Sequence, residues 1–267
     1  MMKLKKFYLG LILFFMYAPI FLLIAFSFNA SPTRNAWTGF TFEWYAQLFR
    51  DSNIMNALRN TLIVAVFSTI LSVIIGTFAA VTVDKLGRRK RNAIMSVSKL
   101  PVMMPDIVTG LTLMILFLFV FRTLNFGGLG LGTLLLAHVI FNVPYVILSV
   151  LPKLRQLDHS LYEAALDLGS KPFRAFIQVV LPEIWPGIIT GAMLAFTLSV
   201  DDFMVSFFTA GATVQNLSIL IFSMTRRGID PRINALSALT FAVIMVMLIL
   251  INKRDKNVIR RQKENEN

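Results

Sequence analysis

The sequence predicts an all-α membrane protein with six transmembrane helices. Hydrophobic residues make up 56% of the 267 residues and charged residues only 15%, whereas soluble domains carry about 25% charged residues. Helices are expected because backbone polar groups in lipid must hydrogen-bond within their own segment. The chain contains no cysteine, which excludes disulfides and thiolate metal sites.

The helices are predicted from apolar runs of about 20 residues, the length that spans a bilayer. These runs lie near 7–28, 61–83, 95–121, 132–151, 185–208 and 234–252. The first run follows Lys3, Lys5 and Lys6, as in a signal peptide, but exceeds the roughly 7–15 apolar residues of such a peptide. We therefore interpret it as an uncleaved first span.

The formal net charge of +12 is explained by topology and not by nucleic-acid binding. Lysine and arginine are concentrated before the first run, after the second and fourth runs, and after the last. Because cytoplasmic loops collect these residues, we expect both termini and the 152–183 loop in the cytoplasm. The loops at 29–58 and 209–233 then face outward. Trp37, Trp44 and Tyr45 in the first of these loops are typical of a membrane interface, with docking of an outer partner as the alternative.

The cytoplasmic loop contains the signals of a short helix and its end. Ser160 and Glu163 have the S-x-x-E spacing of a capping box, which predicts a helix from Leu161. Gly169 suits the left-handed position that ends such a helix.

A second short helix is expected directly after this turn. Ser170 is its predicted cap and Pro172 lies in its first turn. We expect it to run to about Val180, with Pro182 separating it from the fifth span. The sequence thus predicts a helix–turn–helix outside the bilayer.

This hairpin resembles the EAA motif of ABC importer permeases. The matching residues are Glu163, Ala164, Ala165, Gly169, Leu181 and Pro182, and Val179 stands where isoleucine is usual. The resemblance implies that the hairpin docks on an ATPase subunit, with Glu163, Ala164 and Ala165 in that contact and Gly169 permitting the turn. The sequence lacks the G-x-x-x-x-G-K-S/T loop that binds nucleotide phosphates, so ATP and Mg²⁺ are expected on the separate ATPase and no cofactor in this chain.

The resemblance extends over nearly the whole chain to the PotC-type permeases of spermidine/putrescine importers. It rests on segments 105–108, 198–202 and 234–236. It implies the type I ABC importer (MetI-like) permease fold, in a multi-pass protein of the bacterial inner membrane. The implied partners are a second, PotB-like permease, two PotA-like ATPase subunits and a PotD-like extracytoplasmic polyamine-binding protein. We expect residues 1–56 to form the first helix and outer loop, 57–252 the permease domain with its hairpin at 160–182, and 253–267 a cytoplasmic tail.

Three carboxylates, Asp106, Asp201 and Asp202, lie within the predicted spans. A charge near the bilayer centre costs on the order of 2.5–3.5 kcal/mol, so such residues normally face a cavity or a partner. Asp106 follows two prolines, Pro101 and Pro105, which are expected to kink the third helix and to free backbone carbonyls. Carboxylates and carbonyls suit a cationic ligand, whereas an anion would require arginine, lysine or helix N-termini.

Helical geometry distinguishes the two adjacent aspartates. Small residues recur every four positions in the fifth span, at Gly187, Gly191, Ala195 and Ser199. At about 100° per residue, Asp202 falls near the middle of this stripe and is expected to face the bundle interior. Asp201 is expected at the outer rim or between helices. We therefore predict that Asp106 and Asp202 bind the substrate, with Asp201 as the third candidate.

The sequence is also compatible with two alternatives to a polyamine permease. One is the same ABC permease role for another organic cation, a metal ion or an oxyanion. The other is an ion-coupled secondary carrier, which would work without an ATPase. His138 in the fourth span and His159 beside the hairpin lack metal-ligand spacing in the sequence, so no metal site and no catalytic residue are predicted.

Overall fold

The computed structural model describes residues 2–31, 36–125, 127–227 and 230–246. These residues divide into two compact units, one from the segments 1–55 and 221–267 and the other from Asn56–Leu220. The described helices, in chain order, are α1 Met2–Phe26, α2 Glu43–Arg50, α3 Ser52–Asp84, α4 Arg88–Met103, α5 Asp106–Leu124, α6 Leu131–Gln156, α7 His159–Asp167, α8 Pro172–Ala175, a π-helical turn Phe176–Val180, α9 Leu181–Asp201, α10 Met204–Thr209, α11 Leu217–Arg227 and α12 Pro231–Val246.

Five helical segments of the described chain are long and apolar enough to cross a membrane. They are Phe7–Phe26, Ser52–Asp84, Asp106–Leu124, Leu131–Gln156 and Pro172–Asp201. The predicted sixth span, 234–252, begins within α12, and its last part lies outside the described residues. Helices of this length are expected for aliphatic runs in a membrane, because a helix satisfies its backbone hydrogen bonds within its own segment.

The second unit is built around the contact between α6 and α9. The small-residue stripe of α9 is buried against α6. A Cβ atom on Gly187 would lie 2.9 Å from the carbonyl oxygen of Ser149, and one on Gly191 would lie 3.1 Å from Cα of Val146. The glycines therefore allow the two backbones to approach closely, as small residues do in membrane helix pairs.

The third predicted span is broken, not kinked. α4 ends at Met103, Met104 is extended with φ −82° and ψ 148°, and α5 begins at Asp106. Proline disfavours the helical conformation in the residue before it, which explains the extended Met104. Because Pro105 has no N–H, the carbonyl of Pro101 also loses its helical partner. Asp106 is thus the first residue of a new helix.

The fifth predicted span, 185–208, is likewise interrupted. α9 ends at Asp201, Asp202 is extended with φ −64° and ψ 127°, and α10 starts at Met204. The boundary at the other end was also wrong, because Pro182 does not separate the hairpin from this span. The chain runs from α8 through the π-helical turn directly into α9, where Pro182 occupies the first turn. Proline is tolerated in the first turn of a helix.

The segment that follows α1 in the first unit packs through aromatic rings. Phe28 stacks on Phe40 with ring centroids 5.2 Å apart, and Tyr45 lies 5.4 Å from Phe28. Trp44 donates its indole N–H to the carbonyl oxygen of Asn29 at 2.7 Å. Trp44 and Tyr45 therefore help to fold this segment, whereas Trp37 is exposed.

An ion-pair cluster connects two distant parts of the first unit. Arg232 donates to both carboxylate oxygens of Asp230 and, through Nη1, to Asp51 at 2.9 Å. Partial burial raises the pKa of Asp230, but hydrogen bonds and charge from Arg232 lower it by more, so its pKa lies below the ordinary 3.8. The fork shape of the guanidinium suits such a two-carboxylate contact.

Candidate functional site

The two helix breaks lie side by side within the second unit. α10 packs against α5, and their backbones approach closely at Gly110 of α5. A Cβ atom on Gly110 would lie 2.9 Å from the carbonyl oxygen of Met204. Asp106 is one turn before Gly110 on the same side of α5, since residues four apart share a helix face. The first residues of α5 are therefore brought close to the break between α9 and α10.

Contacts with α6 give the position of the break along the bundle. Ser199 of α9 accepts a hydrogen bond from Asn142 at 2.7 Å, and Ser206 of α10 lies 3.0 Å from His138. Both partners are near the middle of α6, which spans Leu131–Gln156. The break is thus near the midpoint of a helix long enough to cross the bilayer. Discontinuous helices that meet at this depth form the substrate sites of many transporters.

Asp202 caps the second half of the broken helix. Its side chain is only 5% exposed. Oδ1 accepts the backbone N–H of Val205 at 3.2 Å, and Oδ2 accepts that of Ser206 at 2.7 Å. An aspartate before the first turn satisfies N–H groups that have no partner inside the helix. Asp202, which was predicted to face inward, therefore lies in the protein interior, just before the start of α10.

Asp201 and Asp106 are the exposed carboxylates at the two breaks. Asp201 is the last residue of α9, and Asp106 is the first residue of α5. The structure thus brings all three predicted aspartates to one region but gives them different surroundings: two face outward from the helices and one is held inside.

The electrostatics of the breaks favour cations. α4 and α9 end there, and the carbonyl ends of helices carry partial negative charge. Both helix N-termini, the ends that attract anions, carry a carboxylate: Asp202 caps α10, and Asp106 stands in the first turn of α5 without a side-chain capping bond. Three carboxylates and two carbonyl ends give a region rich in acceptors.

Sequence reasoning missed the polar side chains that surround Asp202. His138, which was considered only as a metal ligand, is fully buried and lies 3.8 Å from Asp202 Oδ2. Ser206 also accepts a hydrogen bond from Asn216 at 2.7 Å. A signal was present, because His138 and Asn142 are one turn apart in an apolar span, where polar residues normally have a role.

The hairpin between α6 and α9 begins two residues earlier than predicted. Its first helix, α7, is capped by Asp158, which accepts the N–H of Ser160 at 2.9 Å. Ser160 is therefore inside the helix, and the predicted capping box is wrong. The second cap is also different, since Lys171 and not Ser170 precede the helix that Pro172 begins. In both cases the residue that precedes the helix lies one or two positions from the predicted cap.

The turn of the hairpin is the one that the sequence predicts. Gly169 has φ +87°, and its N–H donates to Leu166 while the N–H of Ser170 donates to Ala165. This pair of bonds is the Schellman motif, which favours glycine because of its left-handed conformation. Leu168, beside the turn, is 89% exposed.

The surface around the turn has the features of a docking site. Glu163 and Ala164 are exposed and Ala165 is half-buried. Phe173, at the start of the second helix, is 72% exposed. Large apolar side chains exposed beside a charged residue on a well-capped hairpin are typical of an interface with another protein.

Comparisons with known proteins agree with this architecture. The chain is 39% identical over 235 residues to the "Putrescine transport system permease protein PotI" of Escherichia coli (strain K12), which covers 87% of this chain and 84% of that protein. It is 34% identical over 235 residues to the "Spermidine/putrescine transport system permease protein PotC" of the same strain, with 88% and 87% covered. The resemblance to PotC-type permeases is thereby confirmed.

A solved structure gives the fold. A chain in the "Crystal structure of a bacterial ABC transporter involved in the import of the acidic polysaccharide alginate" matches with a TM-score of 0.71. It covers 96% of this chain and 95% of that one at 18% identity, which confirms the all-α importer permease fold. Residues 72–253 match the family "Binding-protein-dependent transport system inner membrane component". This chain is a multi-pass membrane protein and belongs to the family of binding-protein-dependent transport system inner membrane components.

Proposed function

We propose that this chain is one of two permease subunits of an ATP-driven importer that carries polyamines, spermidine and putrescine, across the bacterial inner membrane. The observation that carries the proposal is the placement of a carboxylate at each half-helix N-terminus, Asp106 at α5 and Asp202 at α10. This arrangement repels anions and attracts ammonium groups. The names of the relatives PotI and PotC point to the same cargo.

Asp106 and Asp201 are the carboxylates that we expect to contact the substrate directly. Both are exposed at the ends of broken helices, where a flexible polyamine can reach them. Asp202 is the third carboxylate of the site. Because its oxygens already accept two backbone N–H groups, we assign it mainly to the electrostatic field of the site and to the cap.

The hairpin at 160–182 connects the permease to its energy source. Glu163, Ala164, Ala165 and Gly169 form the contact with an ATPase subunit, beside the exposed Leu168 and Phe173. ATP and Mg²⁺ bind to that ATPase, since this chain has no phosphate-binding loop. Closure of two PotA-like ATPases moves the hairpin, and α9, which continues from it, carries the motion to the break at Asp202.

The remaining parts of the proposed machine follow from topology. Both termini and the hairpin face the cytoplasm, because the basic loops lie on that side. A PotB-like permease completes the pathway, and a PotD-like binding protein delivers the polyamine from outside.

Uptake into proteoliposomes that contain the complete transporter tests this function. We expect ATP-dependent uptake of labelled putrescine and spermidine, with competition by polyamines and none by an oxyanion. Asp201→Asn should lower this uptake, whereas the matched control Glu183→Gln, an exposed acid at the other end of α9, should leave it unchanged. Uptake of polyamine without ATP would identify a secondary carrier, and competition by an oxyanion alone would exclude a polyamine site.

A further inference from the structure

A buried chain of hydrogen bonds links α6 to the break between α9 and α10. His138 and Ser206 are fully buried, and Asn216 is 2% exposed. Nε2 of His138 lies 3.0 Å from Oγ of Ser206, and Nδ2 of Asn216 donates to the same oxygen at 2.7 Å. Asp202 is also within reach, 3.8 Å from the imidazole. The hydroxyl of Ser206 is therefore the centre of this network.

The directions of these bonds follow from the donors available. Ser206 Oγ accepts from Asn216 and has one hydrogen of its own to donate. The backbone N–H of Ser206 donates to Oδ2 of Asp202 at 2.7 Å. Nε2 of His138 is the remaining partner of the Ser206 hydroxyl, at 3.0 Å. Ser206 therefore connects His138 to Asp202 through one side-chain and one backbone hydrogen bond.

The network is more elaborate than core packing requires. Nδ1 of His138 and Oδ1 of Asn142 are buried and have no hydrogen-bond partner among the described residues. An unsatisfied buried polar atom is destabilising, and an apolar side chain at position 138 would avoid this penalty. An imidazole at position 138 therefore contributes less to core stability than an apolar side chain would, and its two polar neighbours, Ser206 and Asp202, both belong to the break.

We propose that His138 is a positioning residue for the substrate site. Through Ser206 it holds Asp202 in its capping geometry, and this fixes the direction in which α9 ends. The carboxylate of Asp201, the last residue of α9, is thereby oriented for a cationic substrate. The inference rests on the polyamine function proposed above and assigns a role to a residue that has no contact with the substrate.

The test compares His138→Leu with His138→Gln in the complete transporter. Leucine cannot hydrogen-bond to Ser206, and we expect the KM for putrescine to rise by up to about tenfold, the shift when the whole free energy of one buried hydrogen bond is transmitted to the substrate site, with little change in maximal rate. Glutamine keeps a donor on a side chain of similar reach and should restore most of the affinity. Ser206→Ala breaks the same link from the other side and should reproduce the rise, so the test does not depend on the folding of one variant.

Asn142→Ala is the matched control. Asn142 lies one turn from His138 and is equally buried, but its hydrogen bond goes to Ser199 of α9 and not to the cap. We expect a lower Tm and an unchanged KM. An equal rise in KM for Asn142→Ala would mean that His138 acts only through general stability and would overturn the proposal.

Combination with Asp201→Asn provides the second criterion. If His138 acts by orienting Asp201, His138→Leu should add little to the KM of the Asp201→Asn transporter, because residues of one network are not additive. A rise in KM of the double variant equal to the product of the two single rises would contradict the proposal. Complete absence of polyamine uptake by the unaltered transporter would instead overturn the proposed function.

A labelling experiment reports on the geometry independently of transport. The chain has no cysteine, so Asp201→Cys introduces one thiol. We expect His138→Leu to change the rate at which a cationic methanethiosulfonate reagent labels this thiol in the assembled complex, and Asn142→Ala to leave it unchanged. Equal labelling rates in all three backgrounds would show that His138 does not orient position 201.

Discussion

A Cβ atom on Gly110 would lie 2.9 Å from the carbonyl oxygen of Met204, so the backbones of α5 and α10 touch at this point. The same hypothetical atom would lie 3.1 Å from Cα of Val205 and from the ring of Phe208. The contact involves backbone atoms that cannot rotate away. It joins the two helices that begin at the breaks and therefore keeps Asp106 close to the Asp201–Asp202 segment.

Gly110→Ala is expected to destabilise the transporter and to lower uptake. The added methyl group must separate α5 from α10, and overpacking of this kind typically costs about 1–3 kcal/mol. The thermal unfolding of the purified complex should shift to lower temperature. Gly132→Ala is the control, because a Cβ atom there would meet nothing within 4 Å. An unchanged Tm for Gly110→Ala would show that α5 and α10 separate without strain.

Asp202 is expected to show two separable effects, one of charge and one of capping. Asp202→Asn removes the charge but keeps an oxygen that can cap α10, because asparagine is as good an N-cap as aspartate. We expect lower polyamine uptake with an intact complex. Asp202→Ala should lower uptake and also destabilise the protein by about 1 kcal/mol, the typical effect of a lost cap.

The measurements are initial uptake rates and the Tm of the complex for both variants. Wild-type uptake kinetics in Asp202→Asn would show that the charge of Asp202 does not contribute to the electrostatic field of the site. Equal Tm values for the two variants would mean that the side-chain cap does not hold the start of α10.

The breaks and the network around them differ in how far the sequence could predict them. Pro105 was visible as a helix-disrupting residue, and the N-cap preference of aspartate was available for Asp202. Both were interpreted as parts of continuous helices, because apolar composition alone does not mark an interruption. The prediction of the Gly169 turn is confirmed, because this turn depends on residues that are adjacent in the sequence. The contact of His138 with Ser206 joins residues 68 positions apart, and it exists only because α6 and α10 pack together.

Arg232→Gln is expected to reduce stability in a pH-dependent manner. Arg232 lowers the pKa of Asp230 below its ordinary 3.8, so the folded state favours the ionised carboxylate. This stabilisation is present above the unfolded pKa and is lost as the pH falls through the lower, folded pKa. The Tm difference between the unaltered protein and Arg232→Gln should therefore be larger near neutral pH than below pH 3.8. A difference that grows on acidification would contradict the assignment.

Glu163→Ala is expected to separate ATP hydrolysis from transport. Glu163 is exposed on α7, and the turn beside it is held by Gly169 at φ +87° and not by the Glu163 side chain. The hairpin should therefore keep its fold while losing one polar contact with the ATPase. We expect weaker co-purification of the ATPase, or ATP hydrolysis that no longer drives polyamine uptake, with an unchanged Tm for the permease.

Glu183→Ala is the matched control, since this acid is also exposed and lies in the first turn of α9. Unchanged ATP-dependent uptake in Glu163→Ala would refute the coupling role, and an equal loss in Glu183→Ala would attribute the effect to surface charge and not to docking of the hairpin.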